Sequence, residues 1–177
     1  FDNEGYFKIG DALKFKDKLN PEKGFYFDGR IAENFKLNTG TWVSVGNVRS
    51  KLLDALGGIV IDAIIVGEDQ EYLSAFLIPD IAFCRSLLNL NIQDSEEKIL
   101  SHQILKNKIS EILTSYKNNN HSKSQYIKKV VFFRDVLSKA KGEITDKGSI
   151  NQIKFILNRD QLVKKLFMNQ LKEIISI

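Results

Sequence analysis

A single cysteine, two prolines, one methionine and one tryptophan stand among the 177 residues. With Cys84 alone, no internal disulfide can form, and a reducing compartment fits. Cys84 lies in Ile81-Ala82-Phe83-Cys84, an apolar helical context that suits a small buried residue better than a nucleophile. The two histidines, His102 and His121, have no spacing to a cysteine or carboxylate cluster that would make a metal site, so no metal held by protein side chains alone is expected. The longest apolar run, Gly57 to Val66, is about half a membrane span and is interrupted by Asp62, which excludes a spanning helix there. The start, FDNEGYFKIGD, is polar and acidic, unlike the basic-then-apolar opening of a secretory signal. These absences predict a soluble, cytoplasmic protein.

The hydrophobic content of 43% and charged content of 27% are those of a globular chain. At this length about two-thirds of the unfolded surface can be buried. The net charge of +4, from 26 basic and 22 acidic residues, is modest and mostly lysine. Those lysines are spread along the chain instead of forming an arginine-rich or aromatic-laced patch, so a solvated surface is favoured over a nucleic-acid interface.

The pattern along the chain predicts an α+β domain. Gly5 to Ile9 and Ala12 to Phe15 read as extended segments, Asn20-Pro21-Glu22-Lys23-Gly24 as a turn, and Phe25-Tyr26-Phe27 as a strand closed by Asp28-Gly29. Such a hairpin is too small to stand alone and needs cover from later residues or from a larger domain. Phe35-Lys36-Leu37 and Trp42 to Val45 read as short strands around Asn38-Thr39-Gly40. Asn47 is a candidate cap for a helix to Leu56, stopped by Gly57-Gly58. Ile59 to Val66 is a strand apolar on both faces, and Tyr72 to Ile78 a second. Helices are expected from Pro79-Asp80 to about Leu90 and from Ser95 to about Lys117, the latter burying Ile99, Ile104, Leu105, Ile109, Ile112 and Leu113. Asn118 to Ser122 reads as a loop, Ile127 to Arg134 as a third strand, and the tail as helical from about Ser149 to the end. The expected architecture is a small three-stranded sheet flanked by helices, with a β-hairpin at its start, preceded by a β segment belonging to a larger domain.

Three segments carry chemistry. In Gly5-Tyr6-Phe7-Lys8-Ile9-Gly10-Asp11, an acid follows a glycine at the end of an aromatic stretch. A ligand can approach the glycine, and an ionised carboxylate can accept from two sugar hydroxyls, although a turn-capping aspartate is the plainer reading. Asp28-Gly29-Arg30 leads into Lys36 to Gly40, which could be an ordinary surface hairpin. Lys139 to Gly148 is a glycine-flanked lysine loop, and most such loops are simply solvated.

In this order and at these separations, the three segments resemble the last three conserved motifs of the adenylate-forming enzymes. The stretches GYFKIGDA, FDGRIAENFKLNTGTWVSVG and GEITDKGSINQ look most like the feruloyl-CoA synthase group. The resemblance covers nearly the whole chain. It implies the carboxyl-terminal part of an acyl-CoA synthetase, with residues 1–29 ending the large adenylation domain and residues 30–177 forming the mobile C-terminal domain. Asp11 would then hold the ribose hydroxyls of ATP, and Arg30 would contact the ribose or phosphate at the hinge. Lys36 to Gly40 would swing in for the thioester step, with Gly40 leaving room for the pantetheine arm. A lysine of the last motif would bridge the carboxylate and the α-phosphate. The usual Gly-Lys is Gly142-Glu143 in this chain, which leaves Lys141, Lys147 or no lysine for that role, and the resemblance favours Lys147, which lies between Asp146 and Gly148 in the wording shared with that group. The acid usual two residues after the arginine is replaced by Ala32, with Glu33 its nearest substitute.

The implied reactants are ATP with its Mg2+, CoA and a carboxylic acid. The implied partner is an N-terminal domain, since no phosphate-cradling loop or acyl pocket is present; Phe1 itself opens in mid-domain turn chemistry. The isolated chain is expected to be inactive. A standalone binding or regulatory module and a weak nucleic-acid binder using the lysines between residues 98 and 129 are the competing readings.

Overall fold

The computed structural model describes residues 1–120 and 122–177. It is α+β, as the sequence pattern predicts. An aromatic hairpin comes first, formed by β1 (Asp11–Phe15) and β2 (Phe25–Arg30), and a smaller one follows, formed by β3 (Phe35–Lys36) and β4 (Trp42–Val43). The remaining chain builds one mixed sheet from β5 (Val60–Val66), β6 (Leu73–Pro79), β7 (Ile127–Phe132) and β8 (Ile175–Ser176), in that order. β5 and β6 run antiparallel, β6 and β7 parallel, and β7 and β8 antiparallel.

Alternation along β5 sends its side chains to two cores, so the strand is apolar on both faces because both faces are covered. Ala63 and Ile65 pack with Leu52 and Leu56 of α1 (Val45–Leu56) and with Leu105 and Ile109 of α4 (Gln103–Asn118). Ile64 and Val66 pack on the other side with Phe76 and Val131, against Phe155 of α5 (Gln152–Asn158) and Leu166 of α6 (Asp160–Phe167). Between the sheet strands lie α2 (Ile81–Leu87), capped by Asp80 accepting from Phe83 N, and the short α3 (Glu96–Leu100), capped by Ser95 accepting from Lys98 N. Each cap satisfies a backbone donor that the first turn would leave unpaired.

Several expectations are corrected. The sheet has four strands, not three, because the tail does not stay helical. After α6 the chain passes through left-handed turns at Asn169 and Glu173 and returns as β8 along β7. Residues 5–9 are not a strand, because Asp2 gathers the amides of Glu4 and Tyr6 on its carboxylate and makes a turn. α1 starts at Val45, whose amide is held by Asn34 Oδ1 at 3.0 Å, and Asn47 does not cap it. The long helix expected from Ser95 breaks at Ser101–His102, where His102 Nδ1 accepts from Ile104 N and restarts the chain as α4. That break turns Ile104 to solvent, whereas Ile99, Leu105, Ile109 and Leu113 are buried as expected. The third strand ends at Phe132, two residues early. Of the loop expected from Asn118 to Ser122, and of the two histidines, His121 lies outside the described residues.

Among the described residues no helix is long and apolar enough to cross a membrane.

Candidate functional site

The aromatic hairpin finds little cover within the chain. Leu13, Phe15, Phe25, Tyr26 and Phe27 are all exposed, and because Phe25, Tyr26 and Phe27 are consecutive, both faces of β2 are bare. Its firm attachment is at the end of β2. Gly29 has φ of +93°, and a Cβ placed on it would meet Gly46 Cα at 2.8 Å, while one on Gly46 would meet Gly29 Cα at 2.5 Å. Two glycines therefore let β2 cross the first turn of α1 backbone to backbone. Ser44 Oγ donates to the Asp28 carbonyl (3.3 Å) and Asn47 Nδ2 to Asp28 Oδ1 (3.2 Å), pinning the same point.

Asp11 and Arg30 are brought together there. They are register partners across β1 and β2, next to an irregularity in the pairing between Asp11 and Leu13, and Ile31 N donates to Gly10 O at 2.9 Å. Arg30 is exposed and Asp11 half-buried. Among the described residues neither side chain enters a hydrogen bond or an ion pair, so an acid and a guanidinium both remain available to a ligand.

Lys36 and Gly40 sit on the second hairpin. Phe35 faces Val43 and Lys36 faces Trp42, and the turn closes through Gly40 N to Leu37 O (2.9 Å) and Leu37 N to Thr41 O (3.0 Å). Gly40 has φ of +77° and open space where a Cβ would stand. The hairpin is stitched to the β5–β6 turn by Asp69 N to Lys36 O and Asn38 N to Gln70 O, both 3.0 Å. Lys36 and Gly40 are exposed on this braced turn, while Phe35, Leu37 and Val43 anchor it from beneath. The chain between the two hairpins, Ala32 to Asn34, borders a groove of about 560 Å³ whose opposite wall is α5 and α6.

The lysine loop is the third element. Lys141 and Lys147 are both exposed, while Glu143 between them is fully buried. Arg159 Nε donates to Glu143 Oε1 (2.9 Å) and Nη2 to Oε2 (3.0 Å), and Ser138 N also donates to Oε2 (2.8 Å). The guanidinium beside it holds the Glu143 carboxyl below its ordinary range, with the Ser138 amide adding to the effect against the cost of burial. An acid at this position is therefore a structural anchor, and neither Lys141 nor Lys147 is joined by a hydrogen bond to Asp11, Arg30 or the Lys36–Gly40 hairpin among the described residues.

Cys84 is no nucleophile: it is fully buried, its Sγ points to the Ile59 carbonyl, and burial together with the Asp80 charge pushes the thiol up to about 11. Among the described residues no three His, Cys, Asp or Glu side chains gather as a metal site. The sequence alone pointed to neither Gly46 nor Arg159, and Asn47, expected as a helix cap, instead serves Asp28. Gly46 carried a signal, since glycine in a first helical turn is unfavourable unless something needs to approach closely. Arg159, sixteen residues from its partner at the corner between α5 and α6, carried none.

No model of a known protein family matches the chain, and no curated protein matches it. Solved structures do. The adenylation domain of a carboxylate reductase from Mycobacterium chelonae superposes with a TM-score of 0.69 at 16% identity, over 95% of this chain and 24% of that one. The adenylation and carrier didomain of the carboxylic acid reductase from Segniliparus rugosus, solved with AMP, gives 0.65 at 16% identity, over 96% of this chain and 21% of that one. Coronafacic acid ligase from Pectobacterium brasiliense gives 0.52 at 14% identity, over 100% and 27%. The structural neighbours are thus adenylate-forming enzymes, and the fold is one found within them. The chain spans only about a quarter of the length of those proteins.

Proposed function

We propose that this chain is the carboxyl-terminal portion of an ATP-dependent acyl- or aryl-CoA synthetase, nearest to the feruloyl-CoA synthase type. The observation that carries this reading is the pairing of Asp11 with Arg30 at the end of an uncovered aromatic hairpin, beside the Gly29–Gly46 crossing. Residues 1–29 would complete a large adenylation domain, whose surface would cover Phe15, Phe25, Tyr26 and Phe27. Residues 30–177 would be the mobile C-terminal domain, turning about Arg30 to Glu33.

In the first step a carboxylate oxygen of the substrate attacks the α-phosphorus of ATP, the bond to pyrophosphate breaks, and an acyl-adenylate forms. Asp11 accepts from the ribose hydroxyls, Arg30 faces the ribose or phosphate, and a lysine, Lys147 or Lys141, offsets the repulsion of two approaching anions. Mg2+ would arrive on the ATP phosphates. In the second step the domain turns, the CoA thiol loses its proton as its sulfur attacks the acyl carbonyl, and AMP leaves. Lys36 and Gly40 would line the passage for the pantetheine arm. The lone buried cysteine fits a reducing, cytoplasmic setting.

The test is ATP–pyrophosphate exchange driven by a carboxylic acid. The longer protein carrying this chain should catalyse it, Asp11→Asn should weaken it through ATP binding, and the 177-residue chain alone should give none. Exchange by the isolated chain, or indifference of the longer protein to Asp11→Asn, would contradict the reading.

A further inference from the structure

We propose that Glu143 and Arg159 are positioning residues for Lys147, and that Lys147, at the tip of a braced hairpin, is the cation that this loop presents. The inference rests on the reading above that a lysine of this loop, Lys147 by the resemblance, meets the reacting anions; what it adds is the pair that aims it.

The loop from Leu137 to Asn151 contains no strand or helix, yet it is not slack. Ile144 and Ile150 form an antiparallel bridge, Thr145 N donates to Ser149 O (2.9 Å), and Gly148 N donates to Thr145 O (2.9 Å). Gly148 takes φ of +81°, which closes a four-residue turn, Thr145-Asp146-Lys147-Gly148. Lys147 therefore sits at the outermost bend, exposed, with no hydrogen-bond or ion-pair partner for its amine among the described residues.

Glu143 holds the base of that hairpin through main chain and side chain together. Its amide donates to Ser138 O (2.9 Å) and its carbonyl accepts from Asn151 N (2.8 Å), where α5 begins. Its carboxylate takes the two bonds from Arg159 and one from Ser138 N. Arg159 is itself fixed: Nη1 donates to Asp135 Oδ2 and Nη2 to the Val136 carbonyl, both 3.0 Å, and the guanidinium lies over the Phe133 ring at 4.7 Å. One buried acid thus ties the hairpin base to the end of β7 and to the α5–α6 corner. A buried ion pair is weak support for stability because desolvation offsets its attraction, whereas it specifies one geometry well. That makes the pair suited to aiming a tip.

Lys141 is placed differently. It belongs to the tight turn preceding the base, with its amide on Ser138 Oγ (3.2 Å) and its carbonyl held by Asn158 Nδ2 (3.1 Å). The hairpin's bracing does not project it. Position 143 cannot present a cation either, since a lysine there would be buried beside Arg159.

The experiment is a double-mutant cycle in the longer protein, with adenylate formation (ATP–pyrophosphate exchange) and thioester formation from preformed acyl-adenylate measured separately. K147A should lose adenylate formation by about a hundredfold or more, and E143Q by about tenfold to a hundredfold, the scale of a misplaced catalytic group. Thioester formation should change less than about threefold in each. The conservative R159K should fall between E143Q and wild type. E143Q added to K147A should cost nothing further, because Glu143 acts through Lys147. K147A leaves the buried clamp untouched, so folding failure cannot mimic its effect. The proposal is overturned if E143Q remains as costly in the K147A background, if both half-reactions fall together, or if K141A, not K147A, abolishes adenylate formation. Each of those results leaves the synthetase reading standing; a wild-type protein that forms no adenylate removes both.

Discussion

Gly29 and Gly46 touch through their backbones, each standing where the other's Cβ would be. That contact joins the aromatic hairpin to the mixed-sheet domain, and it sits one residue before Arg30. The chain thus changes direction at a point with no side chains to interlock, held by Ser44 and Asn47 on Asp28. A joint of this kind is close yet smooth, which is what the proposed turning about Arg30 to Glu33 would need.

Gly46→Ala should therefore force the two elements apart. A Cβ 2.5 Å from Gly29 Cα cannot be absorbed by a flexible side chain, and overpacking of this kind costs about 1–3 kcal/mol. Thermal or denaturant unfolding should show the loss, and protection of the Asp28 to Arg30 amides in hydrogen exchange should fall first. An unchanged midpoint would show that the contact is dispensable.

Cys84 should be inert in the folded chain. With the thiol pushed up to about 11, roughly one molecule in a thousand carries a thiolate at pH 8, and that one is buried. A chromogenic disulfide reagent should react only as fast as the chain unfolds. Prompt stoichiometric reaction under native conditions would contradict the packing described.

Asp80 caps α2 by accepting from Phe83 N at 2.9 Å. Asp80→Ala should cost about 1 kcal/mol, and Asp80→Asn, which keeps an acceptor, only a few tenths. Equal losses for both would point to the charge, not to the cap.

Glu143 links the lysine loop to pH. Its carboxyl titrates lower in the folded chain than in the unfolded one, so its contribution to stability is complete above the ordinary value of 4.5 and is lost as the pH falls through the depressed folded value. Acidification below 4.5 should expose the amides of Thr145 and Asn151 to exchange, and E143Q should flatten that dependence. A loop whose exchange is identical in both proteins across that range would contradict the clamp.

Much of this was legible in sequence because it is written locally. The buried strand through Ile64 and Ile65, the Asp80 and Ser95 caps, the turn at Gly40 and the apolar stripe of α4 each follow from neighbours in the chain. What was missed depends on distant pairings. β8 needs the edge of β7, which a two-residue strand cannot announce, and so the tail reads as helix. The helix break at His102 arises where an imidazole competes for a backbone amide, which turns Ile104 outward against its own periodicity. Asn47 looks like a cap but serves Asp28, nineteen residues away. The motif residues were legible as a pattern, yet the meaning of Glu143 waited on Arg159.

The most direct measurement is the product analysis of the longer protein incubated with ATP, CoA and a panel of hydroxycinnamic, benzoic and fatty acids. If the chain is part of such a synthetase, AMP and pyrophosphate should appear in step with an acyl-CoA thioester for at least one acid, with no ADP. ADP as the product, or no nucleotide turnover with any carboxylic acid, would contradict it.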